Sequence, residues 1–179
     1  MNYEIIGESI KSATSIKLGD IFKTPVMNGN QQVVQNGVPV YNYPIRYKEN
    51  ITNQQYPNFH IIQVNTNTTP RQTLVESALN YDKRRLQLDY LVNIQYRVAE
   101  DTETVTTLRR QLDEVGLKLL SEFKSIDLGT PIWTKNNRYE IVDGVLQYFF
   151  NVTVYATIDE QNDEIMGDYT LEENIEEEW

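Results

Sequence analysis

His60 is the single histidine of this 179-residue chain, and it lies between Phe59 and the apolar pair Ile61-Ile62. Acyl-transfer chemistry of the Ser-His-Asp kind would have to use it. No nucleophile motif accompanies it, so His60 reads as a hydrogen-bonding residue inside a strand. One histidine also rules out clustered imidazole ligands. The absence of cysteine excludes disulfide staples, thiolate zinc sites, iron–sulfur clusters and cysteine nucleophiles. Glycines 7, 19, 29, 37, 116, 129, 144 and 167 stand apart from one another, so no glycine-rich loop can cradle a phosphate. These residues assign no catalytic, metal-binding or cofactor-binding site and imply no cofactor.

The charged residues are more informative. The chain holds 16 Lys+Arg and 26 Asp+Glu, a formal net charge of -10. Ten of the acids, with no base among them, fall between Asp159 and Trp179, so residues 1–158 are balanced at 16 of each sign. A balanced body offers no basic surface for counterion-driven nucleic-acid binding. Lys83-Arg84-Arg85 is a small cluster in that body and reads as the solvated start of a strand. The terminal carboxylates lack the spacing of a calcium loop and its glycine at the sixth position. They read as a docking tail in which Ile165, Met166, Tyr169, Leu171, Ile175 and Trp179 are apolar anchors for the chain's own body, a neighbouring subunit or a partner. No apolar run approaches the roughly 18–20 residues of a membrane span. The start Met1-Asn2-Tyr3-Glu4 has no basic, signal-like character, which predicts a protein made and kept in a cytoplasm.

The elements that carry these residues follow from periodicity. Ile6, Ile10, Ala13 and Ile16 at helical spacing predict a helix over 3–18, stopped near Gly19. Residues 24–58 are punctuated by Asn28-Gly29-Asn30, Asn36-Gly37, Pro39, Pro44 and Pro57, which allows short extended pieces at 38–43 and 45–48 but no helix. A strand is expected at 59–64. Thr69 and Pro70 then predict a capped helical turn running through Leu74, Val75, Ala78 and Leu79. From Leu86 to Val98 apolar and polar residues alternate strictly, the pattern of a strand with one face buried and one wet. Asp101 and Thr102 mark a helix cap. Val105, Leu108, Leu112, Val115, Leu119 and Phe123 supply that helix's buried stripe, which Asp127, Gly129 and Pro131 should end.

Residues 139–158 pose a choice of register. One continuous strand would align Glu140 with the apolar face of Tyr148, Phe150 and Val152. A hairpin with Asp143-Gly144 in a two-residue type I′ turn instead sets Val142 against Val145, Ile141 against Leu146 and Glu140 against Gln147. The second arrangement sorts polar with polar and puts Gly144 where φ is positive. The whole pattern predicts an α+β fold, a largely antiparallel sheet with helices packed on one face. Residues 1–158 would form a single domain with a turn-rich region at 24–58, and 159–179 an acidic, partly docked tail.

In the order of these motifs the chain resembles the tail terminator proteins of long-tailed bacteriophages, particularly those of Gram-positive hosts. Three stretches carry the resemblance: Ile94-Gln95-Tyr96-Arg97 before a helix start, the hairpin Tyr139 to Phe150 with Asp143, Gly144, Val145 and Leu146 at its turn, and Met166 to Leu171 after the last strand. Residues 24–55 and 66–85 look longer than the family's connections. The resemblance implies a tail-terminator-like sandwich and a structural virion protein, not an enzyme. Such a protein would assemble in the host cytoplasm as a hexameric homo-oligomeric ring, cap the tail tube protein and end tail polymerisation. It would offer a surface to a head-completion or connector protein, with DNA passing through unbound. Another neck or tail-completion role is the alternative. An acidic DNA-mimic inhibitor fits less well, because the acids form one terminal run instead of lining a folded face.

Overall fold

The structure, a computed structural model, describes residues 3–46, 57–65, 71–74, 83–98 and 105–159. It opens on helix α1 (Tyr3–Phe22), followed by six short strands, β1 (Thr24–Pro25), β2 (Met27–Asn28), β3 (Gln31–Gln32), β4 (Val34–Gln35), β5 (Val38–Pro39) and β6 (Tyr41–Asn42). The main sheet is built from β7 (Ile45–Arg46), β8 (Asn58–Asn65), β9 (Arg71–Leu74), β10 (Lys83–Arg97), β13 (Lys135–Val142) and β14 (Val145–Asp159). Between β10 and β13 come helix α2 (Val105–Glu122) and a hairpin of β11 (Ser125–Asp127) and β12 (Pro131–Trp133).

The sheet runs in the order β13-β14-β10-β8-β7, with β9 also paired to β10. Every pairing is antiparallel except β7 with β8. Together with the two helices this is the expected α+β architecture. Its centre is the β10–β14 ladder, which keeps register from Lys83↔Asp159 to Arg97↔Val145. Period two puts Leu88, Tyr90, Val92 and Ile94 on one face, opposite Val154, Val152, Phe150 and Tyr148, and all eight are buried.

Both helices cover that face. α1 packs on β8 and β11, and α2 on β13 and β14. The ring of Phe22 lies 5.0 Å from that of Phe59, which lies 4.6 Å from Tyr96. Phe123, just past α2, lies 4.9 Å from Phe150 and 5.9 Å from Tyr148. These aromatic contacts close the core across the two layers.

Four expectations change. α1 continues through Gly19 because Leu18 and Ile21 are buried in the core, and their burial outweighs the cost of about 1 kcal/mol for a helical glycine. Ile16 leaves the stripe: six residues after Ile10 it lies two-thirds of a turn away, and it is 60% exposed. Val105, expected to open the α2 stripe, is 84% exposed; the buried line is Leu112, Gly116, Leu119 and Phe123. The helical turn expected after Pro70 is, over Arg71–Leu74, the strand β9. It continues the line of β8 along the same side of β10, covering Arg84 to Gln87 where β8 has stopped at Tyr90. The open backbone groups of β10 there prevail over the local helix signal. The proposed caps at Thr69, Asp101 and Thr102, and Val75, Ala78 and Leu79 of the expected turn, lie outside the described residues.

α2 ends at Glu122, before the residues expected to stop it. Side chains beyond it take up its Leu120 carbonyl, to which Lys124 Nζ donates at 2.7 Å, and the carbonyls just past its end. Asn137 Nδ2 donates to the Phe123 carbonyl at 3.0 Å, and the Thr134 hydroxyl lies 3.0 Å from the Lys124 carbonyl and 3.2 Å from that of Phe123. Asp127 and Gly129 build the β11–β12 turn, in which the Gly129 N–H donates to Asp127 Oδ1 at 2.9 Å.

Candidate functional site

The β13–β14 hairpin has the register that side-chain parity demands: Val142↔Val145, Ile141↔Leu146, Glu140↔Gln147 and Tyr139↔Tyr148. Asp143 and Gly144 turn at φ 50 and 73, the pair of positive values a type I′ turn requires. Leu146 is buried and Val145 half-buried on the opposite face. Asp143 and Gly144 thus connect two strands of the sheet, and Leu146 anchors the return.

The second face of the sheet has no helix on it among the described residues. Its positions alternate with the core: Leu91, Asn93 and Gln95 on β10, Gln147, Phe149 and Asn151 on β14. All six are half-buried. Asn93 Nδ2 donates to Gln147 Oε1 at 3.2 Å, Thr153 Oγ1 to Asp89 Oδ1 at 2.8 Å, and Arg97 Nη2 to Gln95 Oε1 at 3.1 Å. The Arg138 guanidinium stacks 4.9 Å above the Phe149 ring. The charges sit at the margins and are held by neighbours, while the middle is amide and apolar. Such a surface can bind.

His60 stands on this face, paired with Gln95 and half-buried. No cluster of three or more His, Cys, Asp or Glu residues able to hold a metal occurs among the described residues. Lys83-Arg84-Arg85 begins β10, where the backbone pairs them with Asp159, Ile158 and Thr157, so the acidic run sets out beside the basic one. The six proposed anchors Ile165, Met166, Tyr169, Leu171, Ile175 and Trp179 lie outside the described residues. No helix among the described residues is long and apolar enough to cross a membrane.

A third feature is an arm formed by residues 24–42. β1 pairs with β6 as its stem, and β2–β3 and β4–β5 are two hairpins. Gly29 turns the first with φ 61, and Asn36-Gly37 turns the second with φ 52 and 78. The three ladders meet where Val26 N–H donates to Val40 O (3.0 Å), Val40 N–H to Val33 O (2.9 Å) and Val33 N–H to Val26 O (2.8 Å). The ring of three main-chain hydrogen bonds closes a three-way junction. The turn residues foretold its tips. The recurrence of valine every seven residues was the signal for the junction itself, and it went unread.

The family model described as phage tail terminator protein matches residues 42–164, which include the whole main sheet and α2. No curated protein matches the chain. The match covers well over half of the sequence and contains the Asp143-Gly144 hairpin and the strand before α2 on which the resemblance rested. The chain belongs to the phage tail terminator family, and is a structural protein of the virion tail.

Proposed function

We propose that this protein caps the phage tail tube as a ring of identical subunits, ends tube polymerisation and presents the surface to which the head is joined. The family match over residues 42–164 carries the reading. A six-subunit ring needs heterologous contacts that close. The described sheet ends on β13 and β7 and leaves one face uncovered, and both features suit repeated contact between neighbours. DNA would pass through without specific contact, because the body is balanced in charge and the excess is acidic. Assembly would occur in the host cytoplasm, with the tail tube protein on one side and a head-completion or connector protein on the other. In this reading residues 1–158 are one domain. Residues 159–179 are the tail, whose anchors from Ile165 to Trp179 dock on a neighbouring subunit or partner.

Negative-stain microscopy and sedimentation of the protein mixed with tail tubes of its phage test this. Rings at the tube end and tubes of arrested length are expected. Monomers that leave tube growth unchanged would overturn the reading, and binding at the portal side would assign the protein to another neck role.

A further inference from the structure

Residues 1–158 are balanced in charge as a whole, but the uncovered face of the sheet is not. Backbone register places six bases on it: Lys83, Arg85 and Arg97 of β10, Arg71 of β9 opposite Gln87, and Lys135 and Arg138 of β13 opposite Asn151 and Phe149. Two acids of the body, Asp89 and Glu140, share the face with them. Three of the bases gather where β10 begins, Lys135 and Arg138 follow along the β13 edge, and Arg97 closes the far end. The groups that hold Arg97 and Arg138, Gln95 and the Phe149 ring, are neutral, so both charges still act on whatever approaches. On the helices, by contrast, bases stand beside acids: Lys11 Nζ lies 3.0 Å from Glu8 Oε1 and Arg110 Nε 3.9 Å from Glu114 Oε1. A face with a basic excess around an apolar and amide middle suits a segment that carries carboxylates and apolar side chains together.

The chain supplies such a segment. β14 ends at Asp159, paired with Lys83, so residues 160–179 set out from the basic end of the face. They hold nine acids and no base, with Ile165, Met166, Tyr169, Leu171, Ile175 and Trp179 among them. Extended, these twenty residues reach up to roughly 70 Å, more than the roughly 50 Å of the fifteen-pair ladder. Because the segment is tethered at the margin of the face, it meets it at an effective concentration that a second copy or a partner in dilute solution does not approach.

We propose that in the free copy residues 160–179 lie back over this face of their own chain, with carboxylates on its bases and apolar anchors on Leu91 and Phe149. Exposed ion pairs are individually weak and screened by salt, so the segment is a latch on the sheet and not part of the core. This rests on the docking role given to the tail above and adds where the tail is kept before assembly. A neighbour or tube that takes up the tail also frees the face.

The experiment is zero-length carbodiimide cross-linking of the full-length protein without tail tubes, on a mixture of isotopically light and heavy copies, with carboxylate–lysine links mapped by mass spectrometry. Glu160 follows Asp159 and stands near Lys83 in any case, so the deciding links are those of Glu172 to Glu178. Links from these to Lys83 and Lys135 within single copies are expected, and should fall about fivefold or more near 1 M salt, where charges are screened within about 3 Å. Arg85→Gln with Arg138→Gln should lower them in the same direction, and Arg110→Gln on α2 should leave them unchanged. The salt series on the wild type decides the matter even if the double variant folds poorly. Links that join light to heavy copies would overturn the proposal in favour of a neighbour's face. Links spread evenly over Lys11, Lys118 and Lys124 as well, or indifferent to salt, would overturn it too. Absence of the deciding links in a protein that still caps tubes would sink this inference alone. Their presence in a protein that never caps tubes would uphold it and sink the ring reading.

Discussion

Tyr148 shows how one residue couples packing to solution conditions. Its ring is buried beside Phe123 and Phe150, and its hydroxyl donates to the Leu119 carbonyl of α2 at 3.4 Å. Burial raises its pKa well above the usual tyrosine value. Burial also raises Tyr96, and Tyr139 is raised by burial and then by the Asp113 carboxylate, to which its hydroxyl donates. The folded protein therefore keeps these protons at a pH where the unfolded chain has released them. Stability is present in full below the unfolded value of about 10 and falls as pH rises above it. Urea midpoints measured between pH 8 and 11 should decline beyond pH 10, and Tyr148→Phe should flatten that decline while costing about 0.5–1.5 kcal/mol at neutral pH. An unchanged slope in the variant would show that Tyr148 does not carry the effect.

Among the elements, α2 and β13 are joined at a glycine. A Cβ on Gly116 would stand 2.7–2.8 Å from three ring carbons of Tyr139, so the helix approaches the sheet as closely as it does because the side chain is missing. Replacing a helical glycine with alanine ordinarily stabilises by roughly 0.5–1 kcal/mol. Here Gly116→Ala should instead destabilise by about 1–3 kcal/mol through overpacking, and Gly116→Ala with Tyr139→Ala should lose less than the two single changes added. Chemical denaturation checks both, and a stabilised Gly116→Ala would refute the close-packing account. Element by element, period-two stretches were legible: the alternation in β10 and the parity of Glu140 with Gln147 specify register because a slip by one residue turns every side chain over. β9 was misread because Thr69-Pro70 is a local signal, whereas the strand is demanded by a distant one, the unfilled side of β10. The uncovered face was implied by alternation. The arm's junction was harder to read, since main-chain groups close it and any residue but proline can supply them.

At the scale of the molecule, charge and core part company near Asp159. The core extends from Ile6 to Val154, and nine of the ten terminal acids follow the end of β14. A chain ended after Asp159 should keep a cooperative thermal transition within a few degrees of the full protein, while its net charge falls from -10 to -1. Under the proposed docking role its attachment to tail tubes should weaken by tenfold or more in co-sedimentation. A truncated chain that no longer unfolds cooperatively would show that residues after 159 belong to the core, and one that binds tubes as well as the full protein would remove the docking role.

The β10–β14 ladder has a mechanical consequence as well. Its fifteen residue pairs in unbroken register extend roughly 50 Å at about 3.4 Å per residue. The hydrogen bonds of an antiparallel pair lie across the strands, so tension along the ladder loads them side by side and they yield together, while peeling from one end loads them in turn. Pulled between the ends of these two strands in a single-molecule experiment, the subunit should behave as a stiff strut along one axis and unzip readily when drawn apart at right angles to it.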